Sequence, residues 1–291
     1  MKNPLFTGVS TALVTPFLQE KVNYPMLELL LQRQIDAGIR SVVLCGTTGE
    51  APTLSDTEKT EMIRRGKQYA GSKCQIIAGT GSNSTDHAVK LSRAAEDAGA
   101  DALLVVTPYY NKATPEGLYA HYSAIAQAVQ IPIIVYNVPS RTGVDIPLHV
   151  YQRLAQIPKI AGVKEASSDI TKIAKIKAQC PKDFSVWSGN DDQTVPVMSL
   201  GGNGVISVLS NVVPAETLAM TEAALKGDYD TAAMLQIKLL PLIELLFCEV
   251  NPIPVKAAMA LVGYDCGPCR LPLTAMSQDN LNRLRNVLFP I

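Results

Sequence analysis

The chain has no excess of charge, no long uninterrupted apolar run, few histidines and no cysteine framework, and each absence removes a class of function. Lys plus Arg equals Asp plus Glu at 26 each. With no charge block either, neither nucleic acid nor an anionic membrane is an expected partner, and a small metabolite is expected instead. The most apolar stretch, Leu239 to Val250, is broken by Pro241, Glu244 and Glu249 and is too short to span a bilayer. The first residues, Met1-Lys2-Asn3-Pro4-Leu5-Phe6, show no apolar core followed by a cleavage site, so no signal peptide is expected and the protein reads as soluble and cytoplasmic. The three histidines, His87, His121 and His149, have no zinc-site spacing, so no metal is expected. The six cysteines, Cys45, Cys74, Cys180, Cys248, Cys266 and Cys269, are scattered and read as reduced thiols. Cys266-Gly267-Pro268-Cys269 copies a redox spacing, but such a pair belongs at a helix start after an early strand, not in a proline-rich C-terminal segment.

What is present is enough apolar sequence for a large core: 47% of 291 residues are hydrophobic and 18% charged. Eight short apolar runs recur along it, at Val9–Val14, Ser41–Cys45, Gln75–Ala78, Ala102–Val106, Ile133–Tyr136, Ile160–Lys164, Phe184–Trp187 and Val205–Val208. Continuous Val- and Ile-rich runs are what a parallel strand covered on both faces requires. Amphipathic segments lie between them. Ser55-Asp56-Thr57-Glu58 reads as a capping box, Thr114-Pro115 as a cap with proline at the first helical position, and Gly38 and Gly99 as helix ends. Eight strand-loop-helix units spaced about 20 to 35 residues apart predict a (β/α)8 TIM barrel over residues 1–226. A doubly wound sheet would want a glycine-rich turn after the first strand, where Thr15-Pro16-Phe17 stands. Residues 227–291 carry helical pattern only, at Asp228–Phe247, Pro254–Val262 and Ser277–Leu288, and read as a C-terminal α-helical domain.

Lys164 ends the apolar run Ile160-Ala161-Gly162-Val163-Lys164. Burial disfavours an ammonium and raises the fraction of neutral, nucleophilic amine, which at neutral pH is only about one in a few thousand for a free lysine. Such a lysine suits Schiff-base chemistry, although a snorkelling or ion-paired lysine at a strand end satisfies the same pattern. In a barrel the loops after the strands build the active site. Gly46-Thr47-Thr48-Gly49-Glu50 follows the second run and combines hydroxyls with a glycine-freed backbone able to cradle a carboxylate, or forms a plain strand-to-helix turn. Thr107-Pro108-Tyr109-Tyr110-Asn111 follows the fourth. Tyr136-Asn137-Val138-Pro139-Ser140-Arg141-Thr142-Gly143 follows the fifth and supplies a phenol for proton transfer and a guanidinium that can grip a carboxylate. Singly, Tyr136 reads equally as a core aromatic, Arg141 as a surface ion pair and Thr47 as a cap. Together they suit condensation of a 2-oxo acid with a second acid. Lys256 is a competing lysine, but Asn251-Pro252-Ile253-Pro254 puts it at a helix start outside the strand pattern.

With these residues in place, the chain resembles the dihydrodipicolinate synthase family, the 4-hydroxy-tetrahydrodipicolinate synthases, of the pyruvate-dependent class I aldolase superfamily that includes N-acetylneuraminate lyase. The resemblance runs from Gly8-Val9-Ser10-Thr11-Ala12-Leu13-Val14-Thr15-Pro16-Phe17 to Arg270-Leu271-Pro272-Leu273. Gly-Thr-Thr-Gly-Glu and the tyrosine-to-lysine spacing mark the superfamily; Arg141 and Lys164-Glu165-Ala166 mark the synthase branch. The resemblance implies that Lys164 forms an imine with pyruvate, that Tyr136 donates and accepts protons, and that Thr47 relays them between Tyr136 and a Tyr110 reaching in from a neighbouring subunit. It implies that Thr48 and nearby N–H groups hold the pyruvate carboxylate, that Ile206 touches the same ligand through its backbone, and that Arg141 holds the carboxylate of L-aspartate 4-semialdehyde. No cofactor is implied, and a homo-oligomer, commonly a dimer of dimers, is. The implied pathway is diaminopimelate and lysine biosynthesis. The alternatives are another Schiff-base pyruvate aldolase or lyase, from which Arg141 points away, and a catalytically inactive metabolite-binding barrel, which the complete Lys164, Tyr136, Thr47 and Tyr110 set argues against.

One departure concerns regulation. Members inhibited by lysine carry a histidine and a glutamate where this chain has Lys59 and His87, while Asn83 and Tyr109 match. Losing one charge-assisted bond costs about 1.5 to 3 kcal/mol, roughly tenfold to a hundredfold in affinity. Lysine is therefore expected to inhibit weakly or not at all, and an inhibition curve with its midpoint below about a millimolar contradicts that expectation.

Overall fold

The computed structural model describes residues 3–289; the Met1-Lys2 part of the leader reading lies outside them. Eight parallel strands close into a barrel: β1 (Gly8–Ala12), β4 (Ser41–Leu44), β5 (Gln75–Gly79), β6 (Ala102–Val106), β7 (Ile133–Asn137), β8 (Ile160–Glu165), β9 (Ser185–Ser188) and β10 (Gly204–Ser207). β1 pairs with both β4 and β10, which leaves the barrel sheet without an edge. All eight apolar runs became strands. Two ends shifted for a readable reason: the amides of Val14 and Val208 turn to the side-chain oxygens of Asn211 and Asp191, so β1 and β10 stop before them.

The helices α1 (Tyr24–Asp36), α2 (Asp56–Ala70), α3 (Thr85–Asp97), α4 (Pro115–Ala128), α6 (Leu148–Leu154), α7 (Ile170–Gln179), α8 (Thr194–Ser199) and α9 (Pro214–Leu225) surround the barrel, and α5 (Pro139–Thr142) is one extra turn in the loop after β7. The capping box at Ser55 and Glu58 is formed in both directions. Gly38 and Gly99 follow α1 and α3 with φ of 93° each, where a side chain would be strained. A small antiparallel hairpin, β2 (Phe17–Leu18) with β3 (Lys21–Val22), lies outside the eight-strand pattern. Its turn residues Gln19 and Glu20 adopt left-handed φ without a glycine, so no turn signal marked it.

Side chains alternate about the wall. Ala12, Val43, Ile77, Leu104, Ile134, Tyr136, Trp187 and Ile206 fill the lumen, while Val42, Ile76, Val105, Val135 and Val163 pack outward against the helices. Phe6 stacks on Trp187 and accepts its indole N–H, so the segment before β1 packs into the lumen. After Gly227 come α10 (Tyr229–Leu246), α11 (Ile253–Leu261) and α12 (Gln278–Leu288). No helix among the described residues is long and apolar enough to cross a membrane.

This helical segment is tied to the barrel by a buried ion pair. Lys256 on α11 donates to Glu50 at 2.9 Å with side chains 4% and 0% exposed, and the Arg270 amide donates to the other Glu50 oxygen. Removing one member strands the other charge in the interior. Lys256→Met is expected to lower unfolding free energy by about 3 to 5 kcal/mol, measured by urea titration; a loss below about 1 kcal/mol, the range of a surface pair, contradicts this account of the tie.

Candidate active site

Strand register decides which side chains meet. Tyr136 is paired with Lys164, and Asn137 with Glu165, across β7 and β8. Because neighbours along a strand face opposite sides, Tyr136 and Lys164 share the lumen while Asn137 and Glu165 share the outer face. The Lys164 amine lies 4.3 Å from the Tyr136 ring centre, and both residues are buried. Gly189, just after β9, leaves room for the lysine: a Cβ there would stand 3.2 Å from Lys164 Cε and 2.5 Å from the Ala166 methyl.

The outer-face pair anchors the strands that carry the site. Glu165 accepts from Asn137 Nδ2 at 2.8 Å, from the Tyr151 hydroxyl at 2.7 Å and from the Ser167 amide at 2.9 Å. Asn137 Nδ2 also reaches Asp145, which is ion-paired with Lys172, and Asn137 Oδ1 accepts the Ile146 amide. Burial and the adjoining Glu165 carboxylate push the Tyr151 phenol well above its ordinary range, so it stays a donor. This network was not read from sequence; the only signal was two polar residues at the ends of apolar strands.

The loop after β4 is a concave backbone turn. Cys45 and Glu50, at its two ends, have φ of 56° and 57°, and Gly79 gives it space, since a Cβ there would fall 2.1 Å from the Cys45 carbonyl oxygen. The loop's internal bonds use the amides of Glu50 and Ala51, leaving those of Thr47 and Thr48 without a chain partner among the described residues. Thr48 is buried and its hydroxyl receives Asn251 Nδ2 at 2.9 Å. Two groups here escaped sequence reasoning. Asn251 comes from the segment between α10 and α11, far from any strand. Asp191 is buried after β9 and accepts the amides of Val208 and Leu209 on one carboxylate oxygen. Burial raises the Asp191 carboxyl, opposed by the Ser207 hydroxyl, by those N–H groups and by Lys164.

A cavity of about 120 Å³ at the C-terminal end of the barrel is lined by Thr47, Thr48, Tyr136, Arg141, Lys164 and Asn251, among others. The structure thus brings together five of the seven catalytic and substrate residues expected from sequence. Ile206 packs in the lumen beside Tyr136 rather than on the cavity wall. Tyr110 stands away from it, 91% exposed with φ of 73°. Arg141 is exposed at the mouth on α5. Of the four regulatory candidates, Lys59 and His87 meet on Asp56, at 3.8 and 2.9 Å, and His87 also contacts Ser82. Asn83 lies exposed beside that cluster, and Tyr109 is 38% exposed.

Competing chemistries find no support in this geometry. Lys256 is consumed by Glu50 and the Pro268 carbonyl. Burial pushes Cys266 up to about 12 and Cys269 up to about 11, so neither is a ready thiolate. Cys45 is buried and likewise pushed up to about 12, which makes it a poor target for oxidation. Among the described residues no three His, Cys, Asp or Glu side chains group as metal ligands.

Comparison with known proteins identifies the family. The model of the dihydrodipicolinate synthetase family matches residues 5–289. The chain is 48% identical over 288 residues to the 4-hydroxy-tetrahydrodipicolinate synthase of Acetivibrio thermocellus, covering 99% of this chain and 98% of that one. It is 50% identical over 286 residues to that of Thermoanaerobacter sp. strain X514, covering 98% and 96%. The crystal structure of dihydrodipicolinate synthase from Thermotoga maritima superposes with a TM-score of 0.96 at 42% identity, covering 98% of each chain. A closed barrel with its lysine on the sixth barrel strand, matched along nearly its whole length, places this chain in the dihydrodipicolinate synthetase family.

Proposed function

We infer that the chain is a lyase that condenses pyruvate with L-aspartate 4-semialdehyde to 4-hydroxy-tetrahydrodipicolinate, in diaminopimelate and lysine biosynthesis. The observation that carries this reading is the convergence of the Lys164 amine, the Tyr136 phenol, the Thr47–Thr48 loop and the Arg141 guanidinium on one small cavity. The amine and the loop account for a 2-oxo acid. A cation at the mouth accounts for a second carboxylate.

The steps follow from these groups. Lys164 Nζ attacks the pyruvate carbonyl carbon, and loss of water gives the imine, with Tyr136 handling the protons. The imine draws electrons from the methyl group; a methyl proton leaves and the enamine carbon attacks the aldehyde carbon of the second substrate, whose oxygen takes a proton. The substrate's own amine then adds to the imine carbon and expels Lys164, closing the ring. Thr47 passes protons between Tyr136 and the Tyr110 of a neighbouring subunit, Thr48 and the loop amides hold the pyruvate carboxylate, and Arg141 holds the aldehyde's carboxylate. The lysine itself is the electron sink, so we assign no cofactor.

We further propose a homo-oligomer, a tetramer built as a dimer of dimers, working in the cytoplasm, with barrel and helical units meeting near residues 226 and 227. Two observations support self-association. Tyr110 is held outward in a left-handed conformation that costs about 1 to 3 kcal/mol, unrewarded within its own subunit. α10 also leaves Met234 and Ile237, one turn apart, 60% and 69% exposed.

The direct test supplies pyruvate with either L-aspartate 4-semialdehyde or N-acetylmannosamine. Turnover is expected with the first aldehyde; turnover with the sugar alone would move the chain to the lyase side of the superfamily. Replacing Arg141 with alanine is expected to lower kcat/KM for the semialdehyde roughly tenfold to a hundredfold while leaving kcat/KM for pyruvate within about twofold, since the two half-reactions are separate. Equal losses for both substrates would remove Arg141 from the second carboxylate.

A further inference from the structure

The barrel does not complete its own carboxylate loop. Three residues from beyond α9 converge on Gly46–Glu50: Asn251 on the Thr48 hydroxyl, Lys256 on one Glu50 oxygen and the Arg270 amide on the other. Phe247, from the same segment, lines the cavity with Asn251. Asn251 is 6% exposed, and its bond to Thr48 spans 203 positions of chain. Its other amide atom, Oδ1, has no partner among the described residues. A buried carboxamide left half-satisfied at a cavity wall is unfavourable, and a core position would be better filled by leucine. Its presence calls for a role beyond packing.

We propose that Asn251 is a positioning residue for the first substrate, fixing the direction in which the Thr48 hydroxyl donates. A threonine hydroxyl carries one proton and two lone pairs. A carboxylate is acceptor-only, so Thr48 helps to hold pyruvate only if that single proton points into the cavity. Without a neighbour the proton is free to rotate away from the cavity. Asn251 Nδ2 at 2.9 Å occupies a lone pair of the hydroxyl and leaves its proton no partner among the described residues. The buried Lys256–Glu50 pair, placed five residues on from Asn251 and two on from Thr48, holds the two segments in register so that this bond persists. In this arrangement the helical appendage contributes to pyruvate recognition without touching the reacting atoms.

This inference rests on the reading of Thr48 as a carboxylate ligand, and a double-mutant cycle separates the two. Thr48→Val, Asn251→Ala and the double variant are compared by kcat/KM for pyruvate and, separately, for the semialdehyde, with thermal unfolding recorded for each. Asn251→Ala is expected to lower kcat/KM for pyruvate roughly tenfold, the loss of one bond to a charged group, with kcat/KM for the semialdehyde kept within about twofold. In the Thr48→Val background, which has no hydroxyl to orient, the same change is expected to have no further effect. Asn251→Ser, which keeps a polar group and less disturbed packing, repeats the cycle if the alanine variant does not fold. Additive losses on pyruvate, or equal losses on both substrates, overturn the role of Asn251 while leaving Thr48 in place. A Thr48→Val enzyme with unchanged kcat/KM for pyruvate overturns the reading of Thr48, and the proposal with it.

Discussion

A lysine amine inside a closed parallel barrel is tolerable only where the wall ends, and the rest of the site is arranged around that constraint. Farther down, the lumen is filled by Ile134, Ile77, Trp187 and their neighbours and offers an ammonium nothing. At the C-terminal rim, β8 delivers Lys164 beside the face of Tyr136, with Asp191 among the charges that act on it. Strand alternation then forces Glu165 outward, where it becomes the hub that binds Asn137, Tyr151 and the turn after β8. The same register that pairs Tyr136 with Lys164 pairs Asn137 with Glu165. One pairing brings the amine and the phenol together, and the next braces the strands that carry them.

The second constraint is that a loop able to cradle a carboxylate has spent few of its own amides on itself. The turn after β4 meets it by taking left-handed conformations at Cys45 and Glu50. Such a loop needs outside support, which comes from Thr15 on the barrel side and from Asn251, Lys256 and Arg270 on the other. The helical segment is therefore part of how the site keeps its shape. Its buried ion pair is costly to form in isolation, yet it holds together two stretches of chain more than two hundred positions apart.

Much of this was legible in the sequence because it is carried by periodicity. All eight strands were marked by runs too apolar for a half-exposed sheet, and Lys164 stood out because it broke one of them. Thr47, Thr48 and Arg141 were found because they follow strands. What escaped lacks any local pattern. The hairpin at Phe17–Val22 has a turn without glycine. Asn251 and Asp191 act across distances that no window reveals, and Lys256 resembled a rival nucleophile until its partner Glu50 came into view. Glu50 was part of a recognised motif, but its role is set by residues of the far C-terminal segment.

The central claim is that Lys164, and no other lysine, forms the imine. The most direct measurement is borohydride reduction of the protein in the presence of pyruvate, followed by peptide mapping by mass spectrometry. The account predicts one reduced three-carbon adduct, on the peptide containing Lys164, absent from Lys164→Arg. An adduct on Lys256, or an unmodified chain after reduction with saturating pyruvate, would contradict it.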